Sequence, residues 1–378
     1  MGFYMKKIIC IFGTRPEAIK IAPVLRELQK KKDLFKTIVV VTAQHRQMLD
    51  QVLRLFNLQS DYDLNIMQES QSLYYITTSA FSRLEKVIKR ENPDFILVQG
   101  DTTTTFAAAL ASFYQKVPVG HIEAGLRSYD RFNPYPEEVN RLLTDALCDF
   151  HFAPTPTAKR NLLKENIKKE SIFVTGNTVI DALYLALNKP HRFRNPILKK
   201  IDFTKKRIIL VTAHRRENWG IPLENISLSI KKLIQKYNDL EIVYPVHLNP
   251  KVENVVYKIL KNSPRIHLIK PLDYLDFVNL LNKCFLVLTD SGGLQEEAPS
   301  LGKPVLVLRE VTERPEGVKA GTVKVIGLSK ERIFTETCKL LDNRTMYNRM
   351  AKSVNPYGDG KASKRIVNAL LYYFKRER

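Results

Sequence analysis

The feature that most constrains the fold of this chain is a regular alternation of short apolar runs with longer segments of helical period. The runs are rich in β-branched residues, and the first four read KIICIF, KTIVVVTA, DFILVQG and VPVGHIEA. Between them lie segments such as EAIKIAPVLRELQKK and HRQMLDQVLRLF, in which apolar residues recur at helical spacing. Strands that alternate with helices in this way predict parallel sheets covered by helices.

The same alternation starts a second time further along the chain. Its strands read RIILVTAH, EIVYPVH, RIHLIKP, FLVLTD, PVLVL and TVKVIG, with helices predicted near 224–237 and 274–282. Two series predict an α/β protein with two Rossmann-like doubly wound domains, residues 1–178 and 179–360. They join near the proline-rich, basic segment NKPHRFRNP, and ASKRIVNALLYYF predicts a closing helix within residues 361–378.

Composition excludes several classes of protein. Hydrophobic residues make up 44% and charged residues 26%, which is typical of a globular chain and not of a disordered one. The apolar runs are far shorter than the roughly 20 residues of a membrane span, so no membrane association is predicted. The opening MGFYMKKIICIF is interrupted at Gly13, Arg15 and Glu17 before it reaches secretory length, and it is interpreted as a buried strand. The four cysteines form no CxxC pair, which favours a reducing, cytoplasmic location.

Lys and Arg outnumber Asp and Glu by 60 to 39, which gives a formal net charge of +21. Such an excess can indicate a nucleic acid, a membrane surface or an anionic substrate. Here it lies mainly in scattered lysine pairs and in the ending KRER, without an RNP, zinc-finger or helix-turn-helix motif. A solvated basic surface is therefore predicted, and no nucleic-acid partner.

Polar residues cluster directly after the predicted strands. In open α/β sheets, ligands bind at the carboxyl ends of the strands, so these positions are candidate site residues. They are the run from Gly13 to Glu17, Asp101, Glu123, His214, His247 and the run from Asp290 to Gly293.

The turn after the first strand, within FGTRPEAIK, has one glycine where a dinucleotide fingerprint has three. No nicotinamide cofactor is therefore predicted. Arg15 in this turn is placed to meet an anion. The competing interpretation is an ordinary strand-to-helix turn, in which Pro16 and Glu17 only favour the start of the helix.

A second turn lies in TDSGGLQEEAPSLGKPVLVL. Ser291, Gly292 and Gly293 at the start of a helix can offer backbone N–H groups to a diphosphate. Glu296 follows within the first turns of that helix and is placed to accept hydrogen bonds from the two hydroxyls of a ribose. The alternative is a simple contact with the helix dipole, worth about 0.3–1 kcal/mol.

Four acidic residues fall in the same predicted region: Asp101, Glu123 in HIEAGLRS, and Glu137 and Glu138 in NPYPEEVNR. Burial and mutual repulsion can raise the pKa of one such carboxyl towards neutrality, which suits general acid–base catalysis. The alternative is structural, because Glu137 and Arg141 are four residues apart and can form a helix pair worth about 0.2–0.5 kcal/mol.

His214 is followed by Arg215 and Arg216 in TAHRREN. Adjacent cations help to bind a pyrophosphate and keep the imidazole neutral. The other histidines are too dispersed to suggest a metal site, and no HExxH, GxSxG or GxxxxGK[ST] motif occurs. Neither a metal nor an organic cofactor is predicted.

Ten ordered segments carry a resemblance to a known family. They read FGTRPEAIKIAPV, TAQHRQMLDQVL, QGDTTTTFAAALA, VGHIEAGLRS, PYPEEVNRLLTD, VTGNTVIDAL, TAHRREN, YPVHLNP, LTDSGGLQEEAPSLGKPVLVLREVTERPEGV and NPYGDGKAS. From nearly one end to the other, the chain closely resembles the non-hydrolysing UDP-N-acetylglucosamine 2-epimerases. The resemblance implies a fold similar to the GT-B glycosyltransferases, with the active site in the interdomain cleft. It also implies a homodimer joined through the N-terminal domain and a C-terminal helix that packs back on that domain.

The resemblance also implies site residues. It assigns catalysis to Asp101, Glu123, Glu137 and His214. Positions that resemble the family's UDP and substrate contacts are Arg15, Lys20, Arg141, Phe277, Ser291, Gly292, Gly293, Glu296 and Arg314, with Phe277 packing on uracil. Some bacterial members are activated by substrate at a second site, which corresponds here to Gln44, Gln47, Gln71, Glu138, Arg215 and His247. Ser70 stands where one such site has an arginine, so the activating site departs from the family pattern.

The implied reaction converts UDP-N-acetylglucosamine (UDP-GlcNAc) into UDP-N-acetylmannosamine (UDP-ManNAc), a supply of sugar for surface polysaccharide. No carbonyl lies next to carbon 2, so direct deprotonation would leave an unstabilised carbanion. Elimination of UDP to 2-acetamidoglucal and its re-addition avoid this, but require a base, an acid and retained UDP. Three alternatives stay open: a hydrolysing 2-epimerase, a UDP-sugar glycosyltransferase and a non-catalytic nucleotide-sugar sensor.

Overall fold

The structure is a computed structural model that describes residues 5–44 and 46–376. The chain divides into two compact units. Unit 1 comprises the chain up to Leu185 together with the segment that begins at Tyr357, and unit 2 runs from Ala186 to Pro356. Within the described ranges, no helix combines the length and the apolar character needed to cross a membrane.

The sheet of unit 1 contains seven parallel strands in the described part of the chain. They are β1 (Lys6–Phe12), β2 (Phe35–Val41), β3 (Tyr62–Asp63), β4 (Phe95–Gln99), β5 (Val119–Ile122), β6 (Phe150–Ala153) and β7 (Ile172–Val174). Their order across the sheet is β3-β2-β1-β4-β5-β6-β7. Ile8, Ile9 and Ile11 of β1 are buried, because both faces of a parallel sheet are covered by helices.

The helices of unit 1 follow its strands along the chain. They are α1 (Arg15–Gln29), α2 (Arg46–Phe56), α3 (Leu73–Glu91), α4 (Thr103–Tyr114), α5 (Glu137–Leu147), α6 (Pro156–Lys164) and α7 (Thr178–Leu187), which crosses into unit 2. A 3-10 turn, Lys169–Ser171, precedes β7. Thr14 and Glu17 form a capping box that starts α1.

The sheet of unit 2 contains six parallel strands among the residues described. They are β8 (Arg207–Thr212), β9 (Leu240–Pro245), β10 (Ile266–Ile269), β11 (Leu286–Thr289), β12 (Val305–Val307) and β13 (Val323–Val325), in the order β10-β9-β8-β11-β12-β13. The helices are α8 (Pro196–Lys200), α9 (Ile221–Lys236), α10 (Pro250–Leu260), α11 (Tyr274–Lys283), α12 (Leu294–Ser300), α13 (Pro315–Ala320), α14 (Lys330–Asp342) and α15 (Arg344–Ala351), with a 3-10 turn at Arg216–Asn218.

The last helix, α16 (Ala362–Arg376), belongs to unit 1. The buried carboxylate of Asp181 in α7 accepts hydrogen bonds from the backbone N–H groups of Ala362 and Ser363, at 3.1 and 2.8 Å. Near the other end, the ring of Phe374 lies 6.1 Å from the rings of Phe35 and Phe95. Capping and aromatic packing together fix this helix on unit 1.

The two sheets share the order of six strands, to which the described part of unit 1 adds β7 at one edge, and this confirms the predicted fold class of two doubly wound α/β units. In each sheet the strand order reverses between the first strand and its neighbour later in the chain, β1 beside β4 and β8 beside β11. Such a switch point leaves a crevice at the carboxyl ends of the strands. Gly13 after β1 and Asp101 after β4 lie at the first switch point, and His214 after β8 and Asp290 after β11 lie at the second.

Candidate functional site

The turn between β1 and α1 is closely packed. A Cβ atom on Gly13 would lie 2.8 Å from the hydroxyl oxygen of Thr104, so a larger residue does not fit. The backbone N–H groups of Gly13 and Thr14 donate to Glu17 Oε2, at 2.9 and 2.7 Å. Arg15 follows at the start of the helix, and none of the described carboxylates forms an ion pair with it. The closely packed turn therefore fixes the backbone that carries the cationic side chain of Arg15.

Glu17 connects this turn to the turn after β4. Its side chain is buried, and its Oε1 accepts hydrogen bonds from the hydroxyls of Thr102 and Thr105, at 2.5 and 2.8 Å. Burial raises the pKa of Glu17, while the four hydrogen bonds favour the carboxylate. The sequence indicated only that Glu17 favours the start of a helix. In the structure it also joins the two turns of the switch point.

Asp101 and Glu137 lie in one polar cluster of unit 1. Arg141 donates to Asp101 Oδ2 through Nε and Nη2, at 3.0 and 2.6 Å, and to Glu138 through Nη1, at 3.0 Å. Asn140 also donates to the carbonyl oxygen of Asp101. Burial raises the pKa of Glu137, and the nearby charge of Asp101 adds to that rise. Among the described residues, Arg141 forms salt bridges with Asp101 and Glu138 and none with Glu137, whose ionised form its charge still favours at longer range.

Glu123 follows β5 in an unusual backbone conformation. Its φ is +74°, in the left-handed region that a glutamate rarely adopts, and only 8% of the residue is exposed. Lys20 lies 2.5 Å from its Oε2, and Gln99 donates to the same oxygen at 3.2 Å. The surroundings thus hold the side chain and the strained backbone together, a pattern typical of functional sites.

The residues that resemble an activating site are partly brought together. Gln71 donates to the carbonyl oxygen of Gln44 at 3.1 Å, and Thr104 donates to the side-chain oxygen of Gln44 at 3.1 Å. Glu138 is 1% exposed and accepts hydrogen bonds from two backbone N–H groups before α5. The side chain of Gln47 lies outside the described residues.

In unit 2, one buried carboxylate organises the turn after β8. Asp290, which is 0% exposed, accepts hydrogen bonds from the backbone N–H groups of His214 and Arg215, at 2.7 and 2.8 Å. It also receives the amide of Asn218 and Nδ1 of His214, both at 3.0 Å. Burial alone would raise the pKa of Asp290, but the contacts with His214 lower it overall. Because a carboxylate only accepts, Nδ1 of His214 is the donor, and Nε2 remains for another partner.

The ring of His214 stacks on the ring of His247. Their centroids are 5.4 Å apart and the planes meet at 23°. Burial lowers the pKa of His247, and a charge on His214 would lower it further. The pair therefore favours a neutral imidazole at His247, which accepts a hydrogen bond from the backbone N–H of Asn249.

Two guanidinium groups meet at the turn after β11. Arg215 pairs with Glu313 at 3.0 Å, and Arg314 pairs with Glu296, which is 3% exposed. A Cβ atom on Gly292 would lie 3.7 Å from Nη2 of Arg215 and 3.9 Å from the guanidinium of Arg314. The missing side chain at Gly292 leaves the backbone accessible between two cations, which suits an anion.

The remaining predicted residues of unit 2 lie near this turn or on the next helix. The backbone N–H of Ser291 donates to the hydroxyl of Thr289 at 2.9 Å, and Gly293 immediately precedes α12. Phe277 lies on α11 and is partly buried. Across the described ranges, no group of three or more His, Cys, Asp or Glu side chains is arranged to hold a metal ion.

Comparison with known proteins matches the whole chain. The family model for UDP-N-acetylglucosamine 2-epimerase matches residues 26–371. The UDP-N-acetylglucosamine 2-epimerase of Bacillus subtilis (strain 168) is 53% identical over 97% of this chain and 96% of its own length. A crystal structure of UDP-GlcNAc 2-epimerase from Neisseria meningitidis, bound to UDP-GlcNAc, is 53% identical with a TM-score of 0.87, covering 97% of this chain and 100% of the other. The glycotransferase of kitacinnamycin, 11% identical with a TM-score of 0.62 over 97% of this chain and 100% of its own, shares the fold alone. The chain belongs to the UDP-N-acetylglucosamine 2-epimerase family.

Proposed function

We propose that this protein converts UDP-GlcNAc into UDP-ManNAc without releasing the free sugar. The observation that carries the proposal is the contrast between two switch-point crevices in a chain of this family. The crevice of unit 1 bears the carboxyl groups of Asp101, Glu123 and Glu137, whereas that of unit 2 bears the guanidinium groups of Arg215 and Arg314. One set is suited to proton transfer and the other to a diphosphate.

Unit 2 would hold the UDP part of the substrate. The turn at Ser291 and Gly292 offers backbone N–H groups between two guanidinium groups, where the diphosphate fits. Glu296 would accept hydrogen bonds from the ribose hydroxyls, and Phe277 would pack against uracil. His214, with Nδ1 held by Asp290, would direct Nε2 at the departing phosphate oxygen.

Unit 1 would move the protons. Asp101 and Glu123 each have a cationic partner, whereas Glu137 forms no ion pair among the residues described. Because burial raises its pKa, Glu137 is a carboxyl suited to give up and take back a proton. We assign it one of the two proton transfers at carbon 2, with Glu123 on the other face of the sugar.

The reaction would proceed by elimination and re-addition. A carboxylate takes the proton from carbon 2, the electron pair forms the double bond to carbon 1, and UDP leaves with the bridging oxygen. UDP then adds back to carbon 1 of 2-acetamidoglucal while a carboxylic acid protonates carbon 2 from the opposite face. Arg15, the cations of unit 2 and Glu296 would keep UDP bound during the lifetime of the glucal. This retention separates the proposed route from that of a hydrolysing epimerase.

An isotope experiment tests the route. UDP-GlcNAc with oxygen-18 at the bridge between carbon 1 and the β-phosphorus is incubated with the protein in deuterium oxide and followed by NMR. We expect deuterium at carbon 2 of UDP-ManNAc and scrambling of the label into the non-bridging β-phosphate oxygens. Deuterium without scrambling would overturn the elimination step, and stoichiometric free N-acetylmannosamine would assign the chain to the hydrolysing type. Asp101→Asn is the matched control, expected to show neither change.

We also propose that substrate activates the enzyme at a second site, to which unit 1 contributes Gln44 and Gln71. The buried side-chain oxygen of Gln71 lacks a hydrogen-bond partner in the described part of the chain, and the same side chain contacts Gln44. A bound ligand could supply the missing donor. Sigmoidal dependence of the initial rate on UDP-GlcNAc concentration, lost in Gln71→Leu, would support this site, whereas hyperbolic kinetics in the native protein would refute it.

From the family resemblance we further propose a homodimer, which light scattering would test.

A further inference from the structure

Behind the acidic crevice of unit 1 lies a network of four charged or titratable side chains. His121 of β5 places Nδ1 2.6 Å from Oδ1 of Asp145, and Arg127 places Nη2 2.6 Å from Oδ2 of the same carboxylate. Arg127 also forms a two-point ion pair with Glu165, at 2.8 and 2.6 Å. The side chains of His121, Asp145 and Arg127 are at most 1% exposed, so solvent does not screen their charges.

Both ring nitrogens of His121 face groups that accept hydrogen bonds. Nε2 lies 2.7 Å from the carbonyl oxygen of Gly100, which cannot donate. Nδ1 faces Asp145, whose other oxygen already receives Arg127 and the backbone N–H of Gly125, at 3.1 Å. Burial would raise the pKa of Asp145, but the two donors on its Oδ2, one of them the guanidinium of Arg127, favour the ionised form. Asp145 is therefore a carboxylate, and the ring must donate from both nitrogens.

The charges of the network point the same way. Asp145 is the carboxylate in contact with the ring, and a positive charge on His121 would pair with it as the charge on Arg127 does. The other groups packed around Asp145 do not supply it: burial lowers the pKa of His151, whose Nε2 faces the carbonyl oxygen of Asp145 at 2.8 Å. Burial raises the pKa of the Cys148 thiol, and Asp149 accepts a backbone hydrogen bond. Glu165, whose side chain is 27% exposed, lies at the edge of the network and does not touch the ring, so its charge does not decide that of His121.

We propose that His121 is a buried imidazolium and a positioning residue for two of the candidate catalytic carboxyls. Gly100, whose carbonyl it binds, immediately precedes Asp101. Gly125, whose N–H is bound by Asp145, follows two residues after Glu123 and its left-handed backbone. The pair of His121 and Asp145 thus holds the backbone just before Asp101 and just after Glu123.

The charge on the ring can be observed directly. Protein labelled with nitrogen-15 in its histidines reports, by long-range proton–nitrogen correlation at neutral pH, whether each ring has one or two protonated nitrogens. We expect two for His121 and one for His151, which is the internal reference in the same core. The spectrum of His121→Asn assigns the signal. A single protonated nitrogen on His121 in the native protein would overturn the proposal.

Two variants that make the same chemical change separate charge from structure. In Asp145→Asn, the new amide can donate to Nδ1 while Nε2 still donates to Gly100, so the ring keeps its bonds and loses its charge. Glu165→Gln removes a carboxylate from the other end of the network without touching the ring. We expect one ring proton in the first variant and two in the second. Two ring protons in a folded Asp145→Asn protein would contradict the role given to Asp145.

The positioning role rests on the proposed epimerase function and needs kinetics. We expect Asp145→Asn to lower kcat about tenfold, with KM for UDP-GlcNAc within about threefold, because the change acts on backbone under the acids and not on nucleotide contacts. Glu165→Gln should leave both unchanged. Unchanged kcat in Asp145→Asn would remove the positioning role; if that variant does not fold, His121→Asn, which keeps the bond to Asp145 and loses the one to Gly100, takes its place. A native protein with two ring protons but no epimerase activity would refute the proposed function and leave the charged histidine standing.

Discussion

The sheets of the two units share the order of six strands and the same switch point, yet their crevices use charge in opposite ways. In unit 1, the cations Lys20 and Arg141 serve as partners of carboxylates. In unit 2, the carboxylates Glu296 and Glu313 serve as partners of guanidinium groups, and Asp290 orients a histidine. The fold supplies the place for a ligand in both units, whereas the side chains at the strand ends decide what that place can do.

This difference separates two kinds of failure. If unit 1 serves proton transfer, loss of a carboxylate there should reduce turnover and leave nucleotide binding intact. If unit 2 serves nucleotide binding, loss of a cation there should reduce the affinity for UDP. The predictions below test that division, beginning with the largest expected effect.

The largest effect is expected in the acidic crevice. Asp101→Asn, Glu123→Gln and Glu137→Gln should each lower kcat by at least about 100-fold, the usual range for a lost acid or base. The affinity for UDP, measured by calorimetry, should stay within about twofold. Glu85→Gln, at an exposed pair with Lys89, is the control and should behave as the native protein. Near-normal turnover in all three variants would refute the assignment of acids to unit 1.

A smaller effect is expected from the cationic crevice. Arg314→Met should weaken UDP binding by about 1.5–3 kcal/mol, because a charge-assisted contact is lost. It also leaves the buried carboxylate of Glu296 without this partner, so the melting temperature should fall. The double variant Arg314→Met with Glu296→Gln should recover stability but not affinity. Unchanged UDP binding in the single variant, measured by calorimetry, would show that this cation of unit 2 does not bind the nucleotide.

A still smaller effect is expected at Gly292. The added Cβ of Gly292→Ala meets both guanidinium groups at ordinary van der Waals distance, so the fold should tolerate it. We expect an unchanged melting temperature and a UDP affinity reduced severalfold, because the methyl group crowds the approach to the backbone. Gly293→Ala, whose Cβ would lie 3.4 Å from a flexible glutamate, tests the next position of the same turn. Native UDP affinity in Gly292→Ala would mean that the diphosphate does not approach this point.

The smallest effect is expected from removing metal ions. The described side chains form no metal cluster, and the proposed chemistry relies on carboxyl groups and guanidinium groups. Dialysis against a chelator should leave kcat unchanged in an assay without added NAD or divalent ion. Activity that is lost on dialysis and returns with one metal ion would reveal a site that neither crevice suggests.

The local pattern of apolar residues predicted the fold. It did not predict the contacts that join distant parts of the chain at the candidate site. The helices predicted near 224–237 and 274–282 are observed as Ile221–Lys236 and Tyr274–Lys283, because apolar periodicity is written into each segment. Pairing is different. Arg141 forms salt bridges with Glu138 on its own helix and with Asp101, 40 residues away in the chain, but not with Glu137. No local rule predicts that choice.

Two further groups were found only in the structure. Asp290 stands at a strand end, which marked it as a candidate, but its role towards His214 depends on the pairing of β8 with β11. His121 and Asp145 lie in different elements, and their contact depends on how α5 packs behind β5. For Asp290 and His214, their positions at strand ends were a signal in the sequence. For His121 and Asp145, neither periodicity nor spacing in the sequence predicts the contact.

The packing of α16 on unit 1 affects the order in which the two units can fold during synthesis on the ribosome. The residues that cap and cover unit 1, from Tyr357 onward, are synthesised after every residue of unit 2. Unit 2 is one continuous stretch and can fold as soon as it has emerged, whereas the aromatic surface around Phe35 and Phe95 must wait for Phe374. Unit 1, most of which is synthesised before unit 2, is thus completed after it.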